Sequence, residues 1–431
     1  MIPPSQTSQP SRPGQSGSSG GPAASGQGPL RVIIVDDQST IRQAICDLLK
    51  GARDIEIIGQ AADGDEGLML VHNVNPDAIL LDLEMPRLDG FTFLRLLMAK
   101  RPTPVVVVSS HSSRESVFRA LELGAMEFVA KPTRISGAGD LQPIRDDLLQ
   151  KLRMVRSLKL ETLAARTRAH RLNPSSSPNI PPPGSPAANT GSVITGSSAM
   201  PRDASSDDQY AARLTAENSF LPTRLICIGA STGGPPSILT LLQGLDPRLP
   251  ATFLITQHMP DMYTQAFAER LRRATHWPVR TAMSGDAIAQ GEVLIASGGS
   301  SLCIAREGPF LVVQPQSSTQ TPDAMPGPGG LTQLPIGLGN GPAPSIDRML
   351  ISAAAAMGER VIAVLLSGMS GEGVAGIQAV RAAGGRVVVE SPESAIMTGM
   401  PQEAIRSGAV HEVVPLRRMA DTLTRLVLNK R

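Results

Sequence analysis

The sequence predicts an α/β protein of two domains, each a doubly wound sheet flanked by helices. Short β-branched runs alternate with segments of helical period through two stretches of chain, and a Pro/Ser/Gly-rich tract separates the stretches. Strands that alternate with helices are joined by crossovers and so pair in parallel.

The runs of the first stretch are Val32 to Val35, Ile55 to Ile58, Ile79 to Leu81, Val105 to Val108 and Glu127 to Val129. They make five parallel strands within a domain spanning 29–135. Residues 136–222 hold a helical segment and a linker. The helical segment, Asp147 to Ala165, sets Leu148, Leu152, Val155 and Leu163 at helical spacing, with eight basic against three acidic residues between Arg145 and Arg171. It reads as a solvated terminal helix, with an electrostatic docking helix as the rival reading. Residues 171–219, with Pro181-Pro182-Pro183-Gly184, lack the apolar content that offsets chain entropy.

The second domain, 223–431, repeats the alternation in Leu225 to Ile228, Thr252 to Ile255, Val293 to Ala296, Leu311 to Val313, Val361 to Leu366 and Val387 to Val389. A mainly parallel sheet follows. Residues 1–28 read as a disordered tail. Residues 315–343 read as a long surface insertion, tolerated because loop-closure cost grows only logarithmically with length.

Composition excludes several function classes. The 431 residues carry a net charge of +2, which supplies no global field for gripping nucleic acid or an anionic membrane. The N-terminus has no apolar signal-peptide core, and the longest apolar runs are too short to cross a bilayer. Cys46, Cys227 and Cys303 are scattered in apolar stretches, so they read as reduced core residues of a cytoplasmic protein.

Ligands of open α/β sheets sit beyond the carboxyl ends of the strands. In the first domain those ends carry Asp36 and Asp37, Asp82, Ser109, and Lys131 followed by Pro132. Three converging carboxylates repel one another unless a cation neutralises them, and an all-oxygen set suits Mg²⁺. Singly, Asp36 is as good a helix cap and Lys131 as good a surface cation. Jointly, Ile34 to Asp37, Leu81 to Gly90, Ser109-Ser110 and Phe128 to Pro132 resemble the response-regulator receiver domain, a flavodoxin-like (βα)5 fold. The resemblance implies that Asp82 accepts a phosphoryl group from a histidine kinase, with Asp36, Asp37 and Asp82 at the Mg²⁺. It also implies that Ser109 and Lys131 contact the phosphoryl oxygens and that Phe128 is the aromatic that changes rotamer.

In the second domain a strand runs into Gly229-Ala230-Ser231-Thr232-Gly233, a G-x-S-x-G turn that sets a hydroxyl at the sheet edge beside a helix N-terminus. A phosphate-cradling loop is the weaker alternative, because no G-x-G-x-x-G or GKS/GKT ending is present. A serine needs a base, and of six histidines only His258 directly follows a predicted strand. A third group must orient the imidazole. Glu372 lies in the Gly-rich turn after Val361 to Leu366, although it also reads as a first-turn acid of its helix.

This constellation resembles the CheB family of chemotaxis protein-glutamate methylesterases, over about residues 223–425. The strings are Gly229 to Gly234, Gln257 to Pro260, Pro344 to Asp347, Leu365 to Gly373 and Gly399 to Ile405. The resemblance implies Ser231 as nucleophile, His258 as general base, Glu372 as carboxylate partner and an oxyanion hole from backbone N–H groups near Thr232 and Met369. It implies hydrolysis, without a cofactor, of glutamate γ-methyl esters on the cytoplasmic helices of chemoreceptors, with deamidation of receptor glutamines by the same chemistry. The receiver would cover the Ser231 edge until phosphorylated by the kinase of a chemosensory pathway. The sequence departs from the family where Glu372 replaces Asp, where Ser297 to Ser301 replace a Pro-Gly loop, and where Glu390 stands for a common Gln. A phosphorylation-dependent binding module is the alternative; a transcriptional regulator is disfavoured by the absence of a helix-turn-helix pattern.

Overall fold

A computed structural model of the chain describes residues 28–109, 114–132, 138–158, 221–317, 344–369 and 371–429. The tail up to residue 27, the 171–219 linker, Leu163 and residues 318–343 of the insertion lie outside the described residues.

The first sheet comprises β1 (Leu30–Val35), β2 (Ile55–Ala61), β3 (Ala78–Leu81), β4 (Val105–Ser109) and β5 (Glu127–Ala130). They lie in the order β2-β1-β3-β4-β5, every pair parallel. Side chains alternate across a strand. Val32 and Ile34 therefore face one core while Ile33 and Val35 face the other. The interleaved helices are α1 (Ser39–Leu49), α2 (Gly64–Val74), α3 (Gly90–Lys100) and α4 (Arg114–Glu122). Asp63 and Asp89 cap α2 and α3 by accepting the N–H groups of Glu66 and Thr92, which satisfies donors that a helix start leaves unpaired.

The helical segment after β5 differs from the solvated helix expected. It forms α5 (Arg145–Met154) and a 3₁₀ turn, and Leu148, Leu149, Leu152 and Val155 are buried in the core that β1, β3, β4, β5 and α1 share. Its apolar stripe has the open face of the sheet to cover, and its basic charges among the described residues are drawn in as well: Arg145 and Lys151 donate to the Leu48 and Phe128 carbonyls, and Arg153 and Arg156 bind Asp54.

In the second domain β6 (Leu225–Ala230), β7 (Thr252–Gln257), β8 (Val279–Thr281), β9 (Val293–Ile295), β12 (Val361–Leu365), β13 (Arg386–Glu390) and β14 (Glu412–Val414) form one sheet. Its order is β14-β13-β12-β6-β7-β9-β8, all parallel. Helices α6 (Gly234–Gln243), α7 (Thr264–Thr275) and α11 (Leu416–Leu428) cover one face. Helices α8 (Ile346–Met357), α9 (Val374–Ala382) and α10 (Gly399–Arg406) cover the other. The Leu311 to Val313 run is not in this sheet. It belongs to β11 (Phe310–Ser317), which pairs antiparallel with β10 (Ser300–Glu307) as a separate hairpin. Strands β8, β10 and β14 were not anticipated, because two are only three residues long and β10 opens on two serines.

The order of the second sheet reverses between β6 and β12, so the loops that follow these two strands open a crevice between them. Ser231 follows β6 and Glu372 follows β12. The fold thus delivers two of the expected groups to one crevice before any side chain is considered.

Truncating a side chain in the α5 stripe tests its place in the receiver core. Leu152, fully buried, should cost about 2–5 kcal/mol of receiver stability as Leu152→Ala. Amide hydrogen exchange in β1 and β3 would read this loss; unchanged protection there would detach α5 from the core.

Candidate active site

Local sequence builds the turn that carries Ser231. Gly233 adopts φ of 77°, a conformation open to glycine, and Pro235 stands in the first turn of α6. A Cβ on Gly234 would lie 1.9 Å from Gln257 Oε1, so only glycine lets the buried Gln257 side chain approach. The Ser231 carbonyl accepts the Gly234 N–H at 2.8 Å and Gln257 Nε2 at 2.9 Å. In a trans peptide the N–H points opposite its C=O, which aims the Thr232 N–H away from Gln257.

The second expected donor is fixed the same way. The Gly368 carbonyl accepts the Met400 N–H at 2.8 Å, so the Met369 N–H points away from α10. The Met369 backbone is held there closely, since a Cβ on Gly399 would lie 2.2 Å from its carbonyl oxygen.

The three side chains meet. His258 Nδ1 lies 3.2 Å from Ser231 Oγ and His258 Nε2 lies 2.9 Å from Glu372 Oε2. The pair meets at this distance without the angle of a well-formed hydrogen bond, and contacts of this kind often tighten only when substrate binds. Glu372 Oε1 accepts the Ile346 N–H at 2.8 Å, at the start of α8. Burial acts to raise the Glu372 pKa, but the contact with His258 and the Ile346 N–H outweigh it and hold the carboxyl below its usual range. The carboxylate therefore serves His258 and a neighbouring helix, not the N-terminus of α9.

In the receiver, Asp36, Asp37 and Asp82 offer oxygens within 4.8 Å of one another. Lys131 Nζ bridges Asp36 Oδ2 at 2.8 Å and Asp82 Oδ2 at 2.7 Å. Burial raises the Asp82 pKa, only partly countered by Lys131. Burial acts to lower the Lys131 pKa, yet the charges of Asp82 and Asp36 win and raise it. Asp37 Oδ1 is buried without a hydrogen-bond partner among the described residues, an orphaned acceptor that fits a cation. Ser109 ends β4 at the same edge, its side chain lying outside the described residues.

Phe128 is buried, with its ring 4.6 Å from that of Tyr263 in the second domain. Beside it Phe118 of α4 stacks on Phe267 of α7 at 5.1 Å. Arg270 of α7 makes a two-pronged pair with Glu122 of α4 at 2.9 and 2.5 Å. On the other flank Met154 packs with Ile396 and Met397, and α5 and Met369 share a cavity of about 420 Å³. The receiver thus abuts the segments that follow Ser231 and His258. Sequence reasoning missed Gln257, Tyr263, Phe267 and Arg270. Gln257 was visible beside His258, but Tyr263, in a short turn, and Phe267 and Arg270, in an ordinary amphipathic helix, have partners more than a hundred positions away.

Replacing Glu372 should separate orientation from reach. Glu372→Gln keeps the shape but removes the charge that favours the imidazolium, and turnover should fall at least 10²-fold. Glu372→Asp should retain measurable activity below that of the wild type. Unchanged turnover in Glu372→Gln would remove the carboxylate from the triad.

Residues 226–423 match the CheB methylesterase family and residues 32–137 match the response regulator receiver domain. The chain is 40% identical over 402 residues to protein-glutamate methylesterase/protein-glutamine glutaminase 6 of Anaeromyxobacter dehalogenans, covering 93% of this chain and 97% of that protein. It is 38% identical over 399 residues to enzyme 3 of the same name from Geobacter sulfurreducens, covering 91% and 95%, and 35% identical over 407 residues to enzyme 1 of Myxococcus xanthus, covering 94% and 100%. The chain therefore belongs to the CheB family of protein-glutamate methylesterases, carboxylic ester hydrolases coupled to a receiver domain.

Proposed function

We propose that this chain hydrolyses glutamate γ-methyl esters on the cytoplasmic helices of chemoreceptors, using Ser231, His258 and Glu372, under control of phosphorylation at Asp82. The observation that carries the reading is the continuous Ser231–His258–Glu372 contact chain at the reversal of the second sheet. A binding module would have no use for such a chain.

Ser231 Oγ attacks the γ-carbonyl as His258 Nδ1 takes its proton, and the carbonyl oxygen becomes an oxyanion facing the N–H groups of Thr232 and Met369. Each such donor is worth about 10²–10³ in rate. His258 then returns the proton to methoxide, methanol leaves, and the acyl-enzyme remains. Water, deprotonated by His258, releases glutamate and restores Ser231. With a receptor glutamine the leaving group is ammonia and every other step is the same, so deamidation belongs to the same proposal.

For the receiver, Asp36, Asp37 and Asp82 would hold Mg²⁺, which when bound neutralises charge on the phosphoryl group. Asp82 accepts that group from a histidine kinase of the chemosensory pathway. Lys131 and Ser109 take its oxygens, and the ion pairs of Lys131 with Asp36 and Asp82 must rearrange. Phe128 lies on β5, with β4 between it and the strand that Asp82 follows, and packs on Tyr263. A rotamer change of Phe128 therefore disturbs the domain contact that stands beside Ser231, and the open state gains population.

Methanol release from methylated receptor helices, with and without a small-molecule phosphodonor, tests this directly. The donor should stimulate the wild type and leave Asp82→Asn unchanged, and Ser231→Ala should abolish release. Full stimulation of Asp82→Asn would dismiss Asp82 as the switch. Arg270→Ala, which strands Glu122 at the domain contact, should raise turnover without phosphodonor by about 10-fold if the contact closes the site. Turnover at or below the wild-type level would show that the contact does not restrain the enzyme.

A further inference from the structure

Behind the triad lies a buried polar cluster that the hydrolytic steps do not use. Ser367 and Glu390 are both fully buried, and a carboxylate in such a place survives only where its oxygens are satisfied. Glu390 Oε2 accepts the Ser367 N–H at 3.0 Å and Oε1 accepts the Ser394 hydroxyl at 3.0 Å. Ser394 in turn accepts the Leu416 N–H at 3.0 Å, tying the cluster to α11.

Ser367 uses every polar atom it owns. Its carbonyl accepts the Ser231 N–H at 3.0 Å. Its hydroxyl donates to the Thr232 carbonyl at 2.8 Å and accepts the Met397 N–H at 2.9 Å. The residue is thus bonded on both sides of the Ser231–Thr232 peptide and begins the Ser367-Gly368-Met369 turn. The two N–H groups proposed to face the oxyanion belong to Thr232 and Met369, and Ser367 ties the two turns together directly.

We propose that Ser367, held by Glu390, is a positioning residue that sets the separation of the two oxyanion donors. This rests on the esterase reading above and adds to it a claim about geometry. Without the Ser367 hydroxyl the Thr232 carbonyl and Met397 N–H lose their partner, and the nucleophile turn is free to rotate against the Met369 turn. A displaced donor binds the substrate carbonyl about as well as before but the transition-state oxyanion less well. Glu390 fixes the Ser367 peptide from behind, and Gln could do the same: its carbonyl oxygen would accept the Ser367 N–H while its amide donates to Ser394, whose hydroxyl turns to the Ser391 carbonyl 3.3 Å away.

The test is steady-state methanol release by the full chain with phosphodonor, on methylated receptor helices, for Ser367→Ala, Glu390→Met and Glu390→Gln, with Ser231→Ala alongside. Ser367→Ala should lower kcat at least about 10-fold with KM within about twofold. Glu390→Met should behave likewise, and Glu390→Gln should recover most of the turnover that Glu390→Met loses. The recovery and the confinement of the loss to kcat are not expected of a residue that only supports the fold. Wild-type kcat in Ser367→Ala with an inactive Ser231→Ala overturns the positioning role alone. A rise in KM matching the fall in kcat, or equal losses in Glu390→Gln and Glu390→Met, also overturns it. Wild-type turnover in Ser231→Ala overturns the esterase reading and this inference with it.

Discussion

The parallel pairing of β6 with β12 is the constraint on which the second domain turns. It registers Gly229 against Leu365, so the chain leaves both strands at the same height. Ser231 then emerges two residues beyond one and the Ser367 turn two residues beyond the other. A slip of one residue in this pairing would exchange the faces of every side chain on one strand. Fully apolar strands, buried on both faces, make that slip costly, and the site inherits its precision from the packing of the core.

The first sheet supplies a different kind of order. Its polar edge is a balance of charges, with Lys131 drawn between Asp36 and Asp82 while Asp37 keeps an unpaired oxygen. Any doubly charged cation or phosphoryl group arriving there must reorganise that balance. Such a rearrangement has a route to the second domain under the proposed switch, because Phe128 of β5 stands three residues before Lys131 and lies against Tyr263. The exposed Glu115–Arg273 pair is worth little in water. The half-buried Glu122–Arg270 pair and the stacked aromatics are what hold α4 to α7.

How legible all this was in sequence depended on range. Strand-end chemistry was legible: the Asp36, Asp82 and Lys131 edge and the Ser231, His258 and Glu372 loops follow from strands that announce themselves by β-branched runs. Three-residue strands such as β8 and β14 carry too few residues for a period, and the β10–β11 hairpin was hidden by reading Leu311 to Val313 as another crossover strand. Helix α5 looked solvated because its charges are plentiful, while the four apolar residues that decide its burial are read only against a sheet face that needs covering. Ser367 drew notice only as part of a string and Glu390 only as a departure from a common Gln, since a hydrogen-bonded cluster across 23 residues has no local pattern.

The Asp-to-Glu departure at 372 finds its reason in the same physics. A longer side chain lets one oxygen reach His258 while the other accepts the Ile346 N–H at the start of α8, so the carboxylate is anchored at both ends. Close by, Asp347 is buried in the first turn of α8 and accepts the Gly376 N–H at 2.7 Å. Burial raises its pKa, the Gly376 N–H opposes that, and the charge on Glu372 adds to the rise. The two neighbours are thus driven in opposite directions, Glu372 down and Asp347 up. As pH falls, Asp347 is the group shifted toward earlier protonation, and its neutralisation relieves the repulsion on Glu372. The negative charge consequently stays beside the imidazole, where the proposed proton transfer from Ser231 would call on it.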